Sequence, residues 1–393
     1  MSEHKPWISP TVAEVRLSAI KEMAMLSARV EDVASLAWGL PSFRTPEHIR
    51  EAVNGALARD DDIGKYALPN GLPALREIVA QHHCRKTGVA ADKDENVFIT
   101  AGNMQGLNSL LRTVLEPGDE ILVTDPGFAS HIQQIHLYGG RAVFWPLDEA
   151  RGWRLDLDAL PALISDRTKA LILVSPCNPT GTIFTEEELR RLGDLALAHD
   201  ILLFIDDPYS EFTYENRASY YQLASRKDLA NQLAYLFTFS KCHAMSGWRL
   251  GYMIAPGWLR REVLKVHDAT MICAPRISQV AAMAALSGGD THVREFESIL
   301  ARRRELICQR LERIPHVFQY TRPQGAYYVF PRIMVEHEDS FAFALRLLRE
   351  ARVSVTPGSA FGPSGEHHVR LAFCVSEEVI DTAFDRIEQH YPA

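Results

Sequence analysis

The strongest constraint on the fold is a succession of short, uniformly apolar runs between residues 95 and 255, spaced by stretches of helical periodicity. The runs are Val97-Phe98-Ile99-Thr100, Ile121-Leu122-Val123, Ala142-Val143-Phe144, Ala170-Leu171-Ile172-Leu173-Val174, Ile201-Leu202-Leu203-Phe204-Ile205, Tyr235-Leu236-Phe237-Thr238-Phe239 and Gly251-Tyr252-Met253-Ile254. A strand with one wet face alternates apolar and polar residues; these do not, so both of their faces are expected to be covered. That is the signature of a mainly parallel sheet between helices. After the first run, Leu107, Leu110, Leu111, Val114 and Leu115 recur at i, i+3, i+4, i+7 and i+8, the stripe of a helix with one buried face. Thr185-Glu186-Glu187-Glu188 has the form of a capping box opening another.

From about residue 286 the pattern changes. A charged helix over 295–311 leads to the strand-like run Gly325-Ala326-Tyr327-Tyr328-Val329-Phe330, a helix near 341–349, and strands around 353–356 and 369–373. The expectation is an α/β chain with a seven-stranded-type sheet in a large domain over 46–285 and a smaller α+β domain over 286–393. Residues 1–45 form an arm and join the small domain. A length of 393 residues agrees with two domains.

A net charge of −8 argues against a nucleic-acid partner. The first residues lack the order of a signal peptide, and no apolar run approaches the ~18 residues of a membrane span. The six cysteines form no CxxC pair and read as reduced thiols. A cytoplasmic protein without a membrane or nucleic-acid partner is expected. His82-His83-Cys84 predicts no metal site, because adjacent helical residues point apart.

In parallel sheets, ligands bind beyond the carboxyl ends of the strands, and polar residues cluster there. Thr100-Ala101-Gly102-Asn103-Met104-Gln105 runs from a strand through glycine into a helix, whose free N–H groups suit a phosphate; taken alone it reads more readily as a structural turn. Phe128 follows the next strand and offers a face to a planar ring, or is a core phenylalanine. Asn178-Pro179-Thr180-Gly181 is a stiff turn presenting one amide. Asp206 directly follows an apolar run, with Tyr209 three residues on, and needs a cationic partner. In Thr238-Phe239-Ser240-Lys241, the lysine also follows an apolar strand. Desolvation there favours the neutral amine, the form that attacks an aldehyde. Arg249, in Ser246-Gly247-Trp248-Arg249, supplies a fixed cationic fork suited to phosphate.

Taken in this order, NPTG, Asp-x-x-Tyr, Ser-Lys, Gly-x-Arg-x-Gly-Tyr and a late arginine resemble the fold-type I pyridoxal 5′-phosphate (PLP) enzymes of the class I/II aminotransferase family, over roughly residues 30 to 375. The resemblance implies that Lys241 bonds to the cofactor's aldehyde and later shuttles a proton. It implies that Asp206 pairs with the pyridine nitrogen, that Tyr209 and Asn178 bond the ring 3-oxygen, and that Phe128 stacks on the ring. Gly102, Asn103, Met104, Thr238 and Arg249 would surround the phosphate, with Ser240 nearby. Tyr66 matches a tyrosine that reaches the phosphate of a neighbouring subunit, which implies a homodimer with shared sites. For substrate, Arg370 matches the arginine gripping the α-carboxylate; Gly39 and Asn178 lie on the same side.

The sequence departs from the family pattern in three places. Asp207-Pro208 stands where Glu-x is common, and Asn103-Met104 where small or hydroxyl residues are common. Phe128 stands where aspartate-specific members carry tryptophan, which shifts the expectation to an aromatic, aliphatic or broad amino donor. The activity expected is transfer of an amino group between an L-amino acid and a 2-oxo acid. The alternatives are other reactions on the same scaffold (β-elimination, cyclopropane formation, oxygen-dependent oxidation) or, more remotely, a ligand sensor. For a sensor, the acidic charge and the lack of a segment for a DNA-binding module tell against it.

Overall fold

The computed structural model describes residues 7–15 and 17–392. Eight strands form one sheet: β1 (Val97–Thr100), β2 (Glu120–Asp125), β3 (Arg141–Asp148), β4 (Arg154–Leu155), β5 (Thr168–Val174), β6 (Leu202–Asp207), β7 (Leu233–Thr238) and β8 (Gly251–Ile254). Their order across the sheet is β1-β8-β7-β6-β5-β2-β3-β4. The pairs β3/β2, β2/β5, β5/β6 and β6/β7 are parallel. β8 runs antiparallel to both neighbours, and β4 antiparallel to β3. The sheet is therefore mainly parallel, as the apolar runs predict, with one strand more than expected. β4 is two residues long, too short for any hydrophobic pattern to mark.

Alternation across the pleat explains why the runs are apolar throughout. Phe98, Ile121, Val123, Ala170, Ile172 and Phe204 face one core, packed with Leu107, Leu110 and Leu111 of the helix Asn103–Val114. Val97, Ile99, Leu122, Leu171, Leu173, Leu203 and Ile205 face the other. Each of these Val, Leu, Ile and Phe side chains contributes about 1.5–3 kcal/mol on burial. The capping box forms: Glu188 N–H donates to Thr185 Oγ1 at 3.2 Å, and Thr185 N–H to Glu188 Oε2 at 2.7 Å.

Two strand ends differ from the apolar runs. β6 extends through Asp207, so Asp206 and Asp207 are its last paired residues and do not follow it. Being consecutive, they point to opposite faces. The run over 325–330 pairs only at β9 (Tyr328–Val329), because Ala326 adopts a φ of 56° and breaks the extended chain.

β9, β10 (Thr356–Pro357) and β11 (Val369–Ala372) make an antiparallel three-stranded sheet in the order β9-β11-β10. The early segment Ala34–Ser35 pairs in parallel with Val353–Ser354. Leu36 N–H then donates to Ser354 O at 2.8 Å, and Ala372 N–H to Leu36 O at 2.7 Å. This weave brings residues 37–40 against β11 and over the sheet's carboxyl edge. No helix among the described residues is long and apolar enough to cross a membrane.

Candidate active site

A cavity of about 480 Å³ opens at the carboxyl ends of the central strands. Gly39, Asn103, Met104, Phe128, Asn178, Asp206, Tyr209, Thr238, Ser240, Lys241, Arg249 and Arg370 all line it. Of the residues singled out from the sequence, Gly102 lies just beneath the wall and Tyr66 stands apart, 76% exposed. A wider cleft of about 680 Å³ is lined by His82, Lys86, Glu211 and Phe237 and shares no residue with this cavity. Lys86 there is paired with Asp207 and Glu211, and Arg217 with Glu297.

One end of the cavity is built for an anion. β1 runs into Gly102, the N-cap of the helix Asn103–Val114, at φ 83°, a left-handed value that side chains disfavour. A Cβ on Gly102 would lie 2.7 Å from an Arg249 guanidinium nitrogen, so glycine is what allows the two to meet. The first N–H groups of a helix lack intrahelical partners, and this helix has no acidic residue in its first turn. Arg249 is anchored by donating to Ser246 O at 2.7 Å. Thr238 Oγ1 lies 2.9 Å from Ser240 Oγ, which places two hydroxyls at the same end.

The far end of β6 presents a carboxylate. Asp206 Oδ1 accepts from Asn103 Nδ2 at 2.6 Å, and Oδ2 lies 3.0 Å from His131 Nε2. Phe128 packs edge-on against His131, with centroids 5.1 Å apart. The Tyr209 hydroxyl meets the Tyr328 hydroxyl at 2.9 Å. Asp207 turns away, as alternation demands, and accepts from Gln222 Nε2 and Ser210 N, both at 3.0 Å, on the opposite face.

Lys241 is half-buried, and its Nζ donates to Gly39 O at 2.9 Å. Burial lowers its pKa to about 8; Arg370 and Arg249 push the same way, against Cys374 and Asp206. Arg370, 2% exposed, lies 4.4 Å from the Tyr328 ring and 5.0 Å from that of Phe361. It donates to Asn178 Oδ1 at 3.1 Å, to Ala37 O at 2.7 Å and to Thr356 Oγ1 at 3.4 Å; its Nε has no partner among the described residues. The Asn178 amide nitrogen is thereby left to face the cavity.

Sequence reasoning missed His131, Tyr328 and Tyr327, whose hydroxyl donates to Gly39 O at 3.2 Å. His131 had a signal: it lies three residues after Phe128, one turn along the same helix. The tyrosines had none, since they read as part of an apolar strand. Also unforeseen are Lys21, Trp38 and Leu40 at the cavity wall, where Lys21 Nζ lies 5.0 Å above the Trp38 ring.

Residues 31–387 match the model of the family described as Aminotransferase class I and II. The chain is 35% identical over 379 residues to an aspartate aminotransferase of Pyrococcus abyssi, covering 95% of this chain and 96% of that one. It is 34% identical to aromatic-amino-acid aminotransferase 2 of Thermococcus litoralis, covering 97% of each. Among solved structures, aspartate aminotransferase from Thermus thermophilus with maleate superposes with a TM-score of 0.92 at 31% identity, covering 98% of this chain and 100% of that one. The aromatic aminotransferase from Pyrococcus horikoshii OT3 gives 0.87 at 35% identity, covering 94% and 98%.

Proposed function

As a member of the class I and II aminotransferase family, the chain is a PLP-dependent aminotransferase, and we propose that the cavity around Lys241 is where it exchanges an amino group between an L-amino acid and a 2-oxo acid. The cavity fits the cofactor on its own chemistry. Backbone N–H groups, Arg249 and two hydroxyls gather at one end for a phosphate, and a carboxylate stands at the other for a protonated ring nitrogen. Between them are an aromatic side chain and a lysine whose pKa burial lowers to about 8, so that a good part of its amine is neutral near that pH. Bound there, the cofactor supplies an electron sink for the substrate's Cα. Lys241 holds it covalently and, once released, moves a proton at Cα. Asp206 orients the ring nitrogen, Tyr209 and the Asn178 amide bond the ring oxygen, and Phe128 covers the ring face. Arg370, pinned between two aromatic rings and with N–H groups to spare, takes the α-carboxylate together with the Gly39 backbone.

The observation that carries this reading is the convergence of Lys241, Asp206, Arg249 and Arg370 on one cavity. For the side chain of the substrate, Trp38, Leu40 and Phe128 offer apolar surface, and Lys21 offers one further cation for an acidic 2-oxo acid. A broad donor range follows, in keeping with relatives named for aspartate and for aromatic amino acids. The reading includes a cytoplasmic homodimer, with Tyr66 reaching the phosphate of the partner's site, and the division into a large domain over 46–285 and a small one completed by residues 1–45.

The test is titration of the holoprotein with each of the twenty amino acids, following the visible cofactor band. A transaminase releases one equivalent of 2-oxo acid per site and then stops until an acceptor is added. Continued turnover on amino acid alone would assign a lyase or oxidase instead.

A further inference from the structure

The helix start that faces the phosphate carries asparagine at position 103, where the family commonly has a small or hydroxyl side chain. Its amide reaches the other end of the cofactor site. Asn103 Nδ2 donates to Asp206 Oδ1 at 2.6 Å, while His131 Nε2 holds Oδ2 at 3.0 Å. Each carboxylate oxygen thus has its own donor, and the two together fix the rotation of the group. The donor assignment follows from charge: a reversed amide would set its oxygen against the carboxylate at that distance.

Two further features mark the amide as aimed at Asp206. Asn103 Oδ1 is buried without a partner among the described residues, so the placement of the side chain serves its nitrogen. Room for that oxygen comes from Gly251, where an added Cβ would lie 2.9 Å from Asn103 Oδ1 and 2.7 Å from Phe237 O.

We propose that Asn103 is a positioning residue for the cofactor's ring nitrogen, its side-chain amide holding the Asp206 carboxylate in the orientation that receives the ring N–H. This rests on Asp206 being the partner of that nitrogen. An ionised carboxylate has about four acceptor directions, so two are left for the ring after Asn103 and His131 have bound. The gain is preorganisation: the carboxylate loses no rotational freedom when the ring arrives. The backbone N–H of residue 103 still faces the phosphate, so this one residue touches both ends of the site.

The test compares two cofactors on apoprotein: PLP itself, and the deaza analogue in which carbon replaces the ring nitrogen. Asn103→Ala is expected to weaken PLP about tenfold, the scale of part of one charge-assisted hydrogen bond, and to weaken the analogue less than twofold. Asn103→Asp, which sets a second carboxylate against Asp206, is expected to lose more than Asn103→Ala with PLP. Retained affinity for the analogue reports that each variant is folded. Equal losses with both cofactors would make Asn103 a structural residue of the helix start and overturn the proposal; so would undiminished PLP binding. If the unsubstituted protein itself fails to distinguish the two cofactors, the assignment of Asp206 falls, and this inference with it.

Discussion

Arg370 offers the sharpest quantitative test of the substrate site. A guanidinium has five N–H donors. Nη1 spends one on Asn178 Oδ1 and Nη2 one on Ala37 O; the contact of Nη2 to Thr356 Oγ1 is long at 3.4 Å, so Nη1 and Nη2 each keep one N–H for a carboxylate, while Nε is buried. The Tyr328 and Phe361 rings hold the plane in place. Two charge-assisted bonds to a carboxylate at about 1.5–3 kcal/mol each sum to about 3–6 kcal/mol. Arg370→Ala should therefore lower kcat/KM by roughly 10²–10⁴ at 1.4 kcal/mol per decade. Arg370→Lys keeps the charge but loses the fork, and should recover about half of that free energy. Stopped-flow measurement of the first half-reaction with alanine, aspartate and phenylalanine is the assay. Because every amino acid carries the same α-carboxylate, the loss should be nearly equal for all three. A loss confined to aspartate, or a lysine variant as good as arginine, would refute the assigned role.

Lys241, with its pKa lowered from 10.5 to about 8 by burial, should react as a free amine at a pH about two and a half units lower than an ordinary lysine. Borohydride trapping of PLP on apoprotein should rise with pH to a midpoint near 8; a midpoint near 10.5 would contradict the desolvation argument. Lys86 Nζ lies 3.4 Å from Asp207 Oδ2, with side chains 14% and 0% exposed. Lys86→Met strands that carboxylate, and breaking a buried pair costs about 3–5 kcal/mol. Asp207 keeps donors from Tyr235, Gln222 and Ser210, so the low end is expected in urea unfolding, and a change under about 1 kcal/mol would show that the pair is idle. Co-expressing Lys241→Ala with Tyr66→Ala should restore activity neither variant has alone, because a mixed dimer has one site with both residues intact. No restoration would mean that Tyr66 does not act across subunits.

Seven of the sheet's eight strands were readable because each leaves a local apolar signature, which the two-residue β4 does not. Uniform apolarity marked burial on both faces, and the break after each run marked the carboxyl edge where Asn178, Lys241 and Arg249 stand. Asp206 shows the limit of that reading. The apolar pattern ended the strand two residues early, and only the ladder with β7 shows that Asp206 and Asp207 are both paired and therefore face opposite sides.

Local pattern and composition alone pointed to a mainly parallel sheet with a desolvated lysine at its edge. Periodicity and burial are properties of neighbouring residues. Tertiary structure alone decided which distant side chains meet there: the pairing of residues 34–36 with 353–354 and 372 carries Gly39 and Arg370 to Lys241 and Asn178. It also gave Asp206 its donors, Asn103 and His131. The physical reason is that contacts between residues far apart in the chain depend on strand register and packing, and neither leaves a trace in the spacing of one segment.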